Sequence, residues 1–270
     1  MEGAEPSGES HFAAELKAHR AAKGWTQVEL GREIGFSGSF VSDVERDERA
    51  PSLDFAQRCD KAFGLPKTFE RIHAEIQRNA FPPFFAPIVP IEQEAERIHG
   101  WGLGSVPGLL QTGRYARSVI QARSPRDDDE AIERMVSARM GRQEILSRDR
   151  PPLLWYVIHE GVLRHVVGDE EIMAEQLDRL IKSASMPGIV IQVLPFTAND
   201  HAGVEGPIVI YDRPGKATVA YTECFAGGRL IEGQDEVADL TTVIGMIRAA
   251  ALSPRDSIAL MRTIRRERAD

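Results

Sequence analysis

The chain has 270 residues, 42% of them hydrophobic and 27% charged, which is ordinary globular composition with enough apolar side chains for one large or two modest domains. No run approaches the ~18 apolar residues of a membrane span. The two cysteines, Cys59 and Cys224, lie far apart and outside any C-x-x-C pair, which excludes a zinc knuckle and a disulfide framework and points to a reducing compartment. The formal net charge of −8 is unfavourable for phosphate contacts, so any nucleic-acid binding must come from a local basic edge, with modest affinity per module.

The first residues, 1–9, are acidic and small and lack the basic start and apolar run of a signal peptide, so they read as a disordered tail and the cytoplasm as the location. Residues 10–66 read as four short helices. Ser10 can cap the first, which carries Phe12 and Leu16, and Gly24 ends it. Thr26-Gln27-Val28-Glu29 is a capping box opening the second, which carries Val28, Leu30 and Ile34 and is closed by Gly35. Ser37 caps a third with Phe40, Val41 and Val44, and Pro51-Ser52 opens a fourth with Leu53, Phe55, Cys59 and Phe63. This module holds eight Lys/Arg against nine Asp/Glu, so it is close to neutral.

Residues 67–90 read as a helical, proline-rich connector. Its run Phe81-Pro82-Pro83-Phe84-Phe85-Ala86-Pro87 cannot be helix interior and is too aromatic for a wet linker, so it is expected to pack on the second domain. Residues 91–270 read as a mixed α/β domain with a small sheet. Helices are expected over 90–98, 113–122, after Asp127-Asp128-Asp129, and over 170–184, 235–250 and 254–268. Strands are expected over 153–158, 189–194, 208–211 and 218–222. The fold class is therefore an all-helical N-terminal module and a C-terminal α/β domain.

The most informative stretch runs from Thr26 to Glu45. Gly31 is small where two helices must approach, Gly35 permits a left-handed turn, and Val41 and Val44 pin the third helix so that its other face points outward. This pattern resembles the phage-repressor-like, xenobiotic-response-element helix-turn-helix family over residues 12–65, at Leu16, Arg20, Gly24, Thr26-Gln27, Leu30, Gly35, Ser37, Val41, Ser42, Glu45 and Pro51. The resemblance implies double-stranded DNA as partner, with the third helix in the major groove. It implies a phosphate contact for Gln27, base-facing positions at Gly38, Ser39 and Asp43 near Ser37 and Ser42, and backbone contacts for Arg46 and Arg49. It also implies an architectural pair between Arg20 and Glu45. Gly38 departs from the family because it offers no side chain to a base, and Asp43 can accept only from a donor such as the cytosine amino group. Phe40 can meet a thymine methyl or lie half-buried. Thin readout from one helix implies a homodimer on paired half-sites.

Two further runs, Val106-Pro107-Gly108-Leu109-Leu110-Gln111-Thr112 and Arg139-Met140-Gly141-Arg142-Gln143, are distinctive. With Glu160-Gly161-Val162-Leu163-Arg164, Met173-Ala174-Glu175-Gln176-Leu177 and Val193-Leu194-Pro195-Phe196 they resemble, over about residues 91–265, the antitoxin-like domain of actinobacterial regulators of the Scr1/WhiJ type. That resemblance implies modulation by a small partner protein encoded nearby. Glu160, His201 and Glu223 are candidates for a regulatory pocket. No histidine has metal-ligand spacing, so no metal, cofactor or enzymatic activity is expected. The acidic start at Asp127 suits a helix N-terminus, and Arg262, Arg265, Arg266 and Arg268 suit a C-terminus, with a second phosphate contact as the rival reading of that basic tail.

Overall fold

The computed structural model describes residues 8–49, 51–224 and 226–268. Most of the expected tail lies outside the described residues, as does the Ser10 side chain expected to cap the first helix. The chain divides into two compact units, residues 1–83 and 84–270.

The first unit is helical: α1 (Gly8–Ala22), α2 (Gln27–Ile34), α3 (Gly38–Glu45), α4 (Leu53–Phe63) and α5 (Thr68–Ala80). The caps are those the sequence announces. Thr26 and Glu29 close a capping box, Ser37 accepts from the Phe40 N–H, and Ser52 from the Phe55 N–H. Gly35 and Gly64 end α2 and α4 in the left-handed region. The core joins Phe12, Leu16, Leu30, Ile34, Val41, Val44, Phe55 and Phe63 with Phe69, Ile72 and Ile76 of α5. The module thus does not stop at residue 66. Helix α5, expected in a connector, supplies three core residues, and the buried Asp60 carboxylate of α4 accepts from the Phe69 and Glu70 N–H groups at its start. Leu53, expected in the core, sits at the first turn of α4 and is 47% exposed.

The second unit contains α6 (Ile88–Glu94), β1 (Arg97–Gly102), α7 (Gly113–Arg123), α8 (Asp129–Arg142), β2 (Leu153–His159), α9 (Glu160–Arg164), α10 (Glu170–Ser183), β3 (Ile189–Leu194), β4 (Ile208–Asp212), β5 (Val219–Cys224), β6 (Gly227–Ile231), α11 (Gln234–Ala250) and α12 (Pro254–Glu267). The fold is a six-stranded mixed sheet flanked by helices. Strand order is β3-β2-β1-β4-β5-β6, parallel from β3 to β1 and antiparallel from β1 to β6.

The two faces follow the two-residue period of a strand. Ile98, Leu154, Tyr156, Ile158, Ile191, Val193, Tyr211, Val219 and Tyr221 face the larger core with Tyr115, Leu177, Leu180, Met261 and Ile264 of the covering helices. On the opposite face Ile208, Ile210, Ala220 and Ile231 pack against Val237 and Ile244 of α11, and Trp101, Val157 and Leu194 against its Ile247. Strands β1 and β6 have no counterpart in the sequence reading. Residues 90–98, read as one helix, end their helix at Glu94 and continue as the central strand β1. Its Gly100 is required because a Cβ there would lie inside the Tyr156 ring of β2. Phe84 and Phe85 pack against the second unit's core, as the aromatic run suggests.

Candidate nucleic-acid interface

The chain leaves α2 through the Gly35 turn and enters α3 three residues later. A Cβ on Gly31 would stand 2.7 Å from the Phe36 carbonyl oxygen and 3.0 Å from the Gly38 nitrogen, so glycine is what lets the turn lie against α2. Leu30, Ile34, Val41 and Val44 are buried between the two helices and the remaining core, which fixes α3 by one side.

The buried end of α3 is held by charge. Arg20 donates from Nε to Glu45 Oε1 at 2.6 Å and from Nη2 to Oε2 at 2.9 Å, and its Nη1 donates to the Trp25 carbonyl. The expected architectural pair is therefore formed. Gln27 joins it, donating from Nε2 to Glu45 Oε2 at 2.8 Å. Burial acts to raise the Glu45 carboxyl, but the bonds from Arg20 and Gln27 outweigh it and hold the group below the usual carboxylate range. The Gln27 side chain, expected at a phosphate, thus has its amide nitrogen engaged inward.

The other side of α3 faces solvent. Ser37 and Ser39 are exposed and share a hydrogen bond, and Ser42 and Asp43 are half-exposed. Arg46 donates to Ser42, Asp43 and Glu48. The guanidinium of Arg49 lies over the Phe40 ring, 4.2 Å from its centroid. Phe40 is half-buried against Phe36 and Phe55. Gly38, expected to face bases, is turned toward α2: a Cβ would meet Val28 at 2.8 Å. Its departure from the family pattern has a packing cause. The outward set is therefore Ser39, Ser42, Asp43, Arg46 and Arg49.

In the second unit the two distinctive runs form one assembly. Gln143 donates from Nε2 to the Gly108 and Gln111 carbonyls, and Gln176 donates to the Leu110 carbonyl while accepting from the Thr112 N–H. Arg139 donates to the Gln111 side chain, and Arg142 makes a two-pronged pair with buried Glu92 at 2.7 Å on each prong. The sequence shows both runs as distinctive, and the run holding Gln176 with them, but the partner Glu92 carries no local signal.

The three pocket candidates do not converge. Glu160 is buried, with Oε1 bound by Arg164 and Oε2 by the Phe196 N–H. His201 lies beside Trp101 and His159, and its Nδ1 accepts from the Gly203 N–H. Glu223 shares the sheet face of Tyr221, opposite that of Trp101, and pairs with Arg123 of α7. Alternation along β5 sends its carboxylate away from the two histidines. An open cleft of about 470 Å³ does lie between the β4–β6 strands and α11, lined by Ile208, Thr222, Leu240 and Val243, and of the three candidates it is Glu223, not Glu160 or His201, that borders it. In the basic tail, Arg265 binds Asp178, and Arg268 binds Glu170 and the Leu163 and Arg164 carbonyls. Those two arginines therefore hold the fold.

Among the described residues no group of three or more acidic, histidine or cysteine side chains is arranged to hold a metal, and no single helix is long and apolar enough to cross a membrane. Comparison with curated proteins and with solved structures gives no match. Comparison with family models gives two. Residues 11–70 match a helix-turn-helix domain, the fold of DNA-binding regulators, and residues 85–263 match a domain of unknown function, DUF5753. The second match spans most of the molecule, and the chain belongs to the DUF5753 family, carrying a helix-turn-helix domain ahead of that domain.

Proposed function

We propose that the protein is a sequence-specific transcription regulator that binds operator DNA as a homodimer through α3, and that its second unit receives the regulatory signal. The observation that carries this reading is the asymmetry of α3. One side is locked by Val41, Val44 and the Arg20–Glu45 pair, while Ser39, Ser42, Asp43 and Arg46 stand on the other. A rigid helix with a free polar face is what a major groove accepts. Arg46 is held by two surface carboxylates, contacts of little net strength in water, so phosphates can replace them. Few base-directed groups per helix favour two copies on paired half-sites.

The Scr1/WhiJ-type resemblance supports an antitoxin-like regulator modulated by a small partner protein. Exposed Phe196, Val204 and Met246 on the second unit offer apolar surface for such a partner. The setting is the cytoplasm, at the nucleoid when DNA is bound, and the protein has no catalytic role. Gel-shift of the full chain on its own upstream DNA tests the reading. Ser39→Ala and Arg46→Ala should weaken retention, and equal retention by both variants would refute the assignment of α3.

A further inference from the structure

Beside the larger core of the second unit lies a cluster of arginines that is unevenly matched by carboxylates. Arg139 projects from α8 and is only partly exposed, yet among the described residues it makes one hydrogen bond, to Gln111 Oε1 at 3.0 Å, and no ion pair. Its neighbours are already matched: Arg142 by Glu92 and Arg123 by Glu223. Of these three arginines Arg139 alone has no carboxylate within ion-pair distance, Glu223 acting on it only from farther away. Burial first, and then repulsion from Arg142, lower its pKa to about 10 against the attraction of Glu223. None of its remaining donors is sealed from solvent.

Two tyrosines border the same ground. The buried Tyr221 hydroxyl has no partner among the described residues. It stands over β6, where a Cβ on Gly228 would collide with it, and Gly228 is the register partner of Glu223. The Tyr115 oxygen accepts from the Val106 N–H at 3.2 Å, which leaves its own hydrogen to give. Val106 also accepts from Gln111, the residue that Arg139 binds, so Tyr115 and Arg139 meet at one loop. Arg123 completes the edge, stacked on Phe84 at 4.9 Å. The buried Tyr221 hydroxyl costs free energy while it lacks a partner, and an oxygen-rich anion supplies one to it and to the solvent-facing donors of Arg139.

We propose that Arg139, Arg123, Tyr115 and Tyr221 form a binding site for the oxyanion group, carboxylate or phosphate, of a small ligand. Arg139 gives the charge and a planar fork suited to either group. The tyrosine hydroxyls add neutral donors, and Glu223 sets the limit on how much negative charge the site takes by holding Arg123. As an effector site this rests on the regulatory reading, but binding itself does not.

The test is calorimetric titration of the full chain with sodium phosphate and, separately, sodium malonate, at ionic strength fixed with sodium chloride. Saturable binding of at least one anion is expected, and the two arms tell phosphate from carboxylate. Arg139→Gln should weaken it at least about tenfold, the loss of one charge-assisted bond. Tyr221→Phe keeps the ring and should weaken binding several-fold while leaving the unliganded fold as stable as before, or more so. That combination cannot arise from a merely structural hydroxyl. If Arg139→Gln fails to fold, Tyr221→Phe decides alone. No saturable binding of either anion, or unchanged affinity in the folded variants, overturns the site. Anion binding without DNA retention would leave the site standing and remove the regulator reading.

Discussion

Arg20 and Glu45, at opposite ends of the helix-turn-helix, meet through two parallel hydrogen bonds of 2.6 and 2.9 Å, with the Glu45 side chain almost wholly buried. The pair ties α1 to the end of α3 and recruits Gln27 from α2, so three helices converge on one carboxylate. Removing one partner strands the other without compensation. Arg20→Ala should destabilise the first unit by about 3–5 kcal/mol, far more than an exposed pair would. Urea unfolding followed through Trp25, which reports on this unit, checks it; a loss below about 1 kcal/mol would show that the pair is incidental. The Glu45 carboxyl titrates low, so its contribution is complete above the ordinary carboxylate range and fades only as pH falls through its lowered value.

His73 gives the first unit a second pH dependence, at milder acidity. It is buried on α5 with a hydrogen bond to the Pro51 carbonyl, and burial lowers its pKa from 6.5 to about 4 against the effect of that bond. The unfolded chain therefore binds a proton over this interval that the folded chain does not. Stability is complete above pH 6.5 and declines as pH falls toward 4, by a total on the order of 3 kcal/mol. Thermal unfolding of the wild type and of His73→Gln across this range checks it. The variant should lose most of the slope between pH 6.5 and 4, and an unaltered slope would contradict the assignment.

The second unit depends on Arg142 in the same way that the first depends on Arg20. Arg142→Ala leaves Glu92 buried and alone, an expected loss of about 3–5 kcal/mol. Gln143→Ala strands the Gln111 carbonyl, while the Gly108 carbonyl keeps only the Gln111 N–H, and should cost about 1–3 kcal/mol. Hydrogen exchange read by mass spectrometry should show faster exchange over residues 106–112 in both variants, with residues 11–49 unaffected. Exchange that rises equally in both units would mean that these bonds do not act locally.

Gly31 tests the close approach of α2 to the turn. Gly31→Ala drives a methyl against the Phe36 carbonyl and the start of α3, and backbone cannot yield as a side chain can. A loss of about 1–3 kcal/mol is expected, together with weaker DNA retention, because the same contact sets the orientation of α3. Unchanged stability would refute the steric argument.

The helix-turn-helix is legible in the sequence because its signals are local. Thr26 with Glu29, Ser37, Gly35 and Gly64 each act within four residues, and all sit where the chain pattern puts them. Non-local features are hidden. Strand β1 holds Arg97, His99 and two glycines, a poor strand by composition, and it is a strand because β2 and β4 pair with it on both sides and the Tyr156 ring needs Gly100. Helix α5 looks like a connector until Asp60, nine residues back, is seen at its start. The three pocket candidates stay apart for a related reason: the period of β5 puts the Glu223 side chain on one face, while His201 belongs to the other. Gly38 reads as base-facing in the sequence because its real constraint, Val28, is on the preceding helix.

The central claim is that the free side of α3 binds duplex DNA. Fluorescence anisotropy of labelled upstream DNA, titrated with the full chain at several salt concentrations, tests it most directly. The account predicts saturable binding that weakens steeply as salt rises, and weaker binding by Ser39→Ala and Arg46→Ala variants that remain folded. No binding at low salt, or binding that ignores both substitutions, would contradict it.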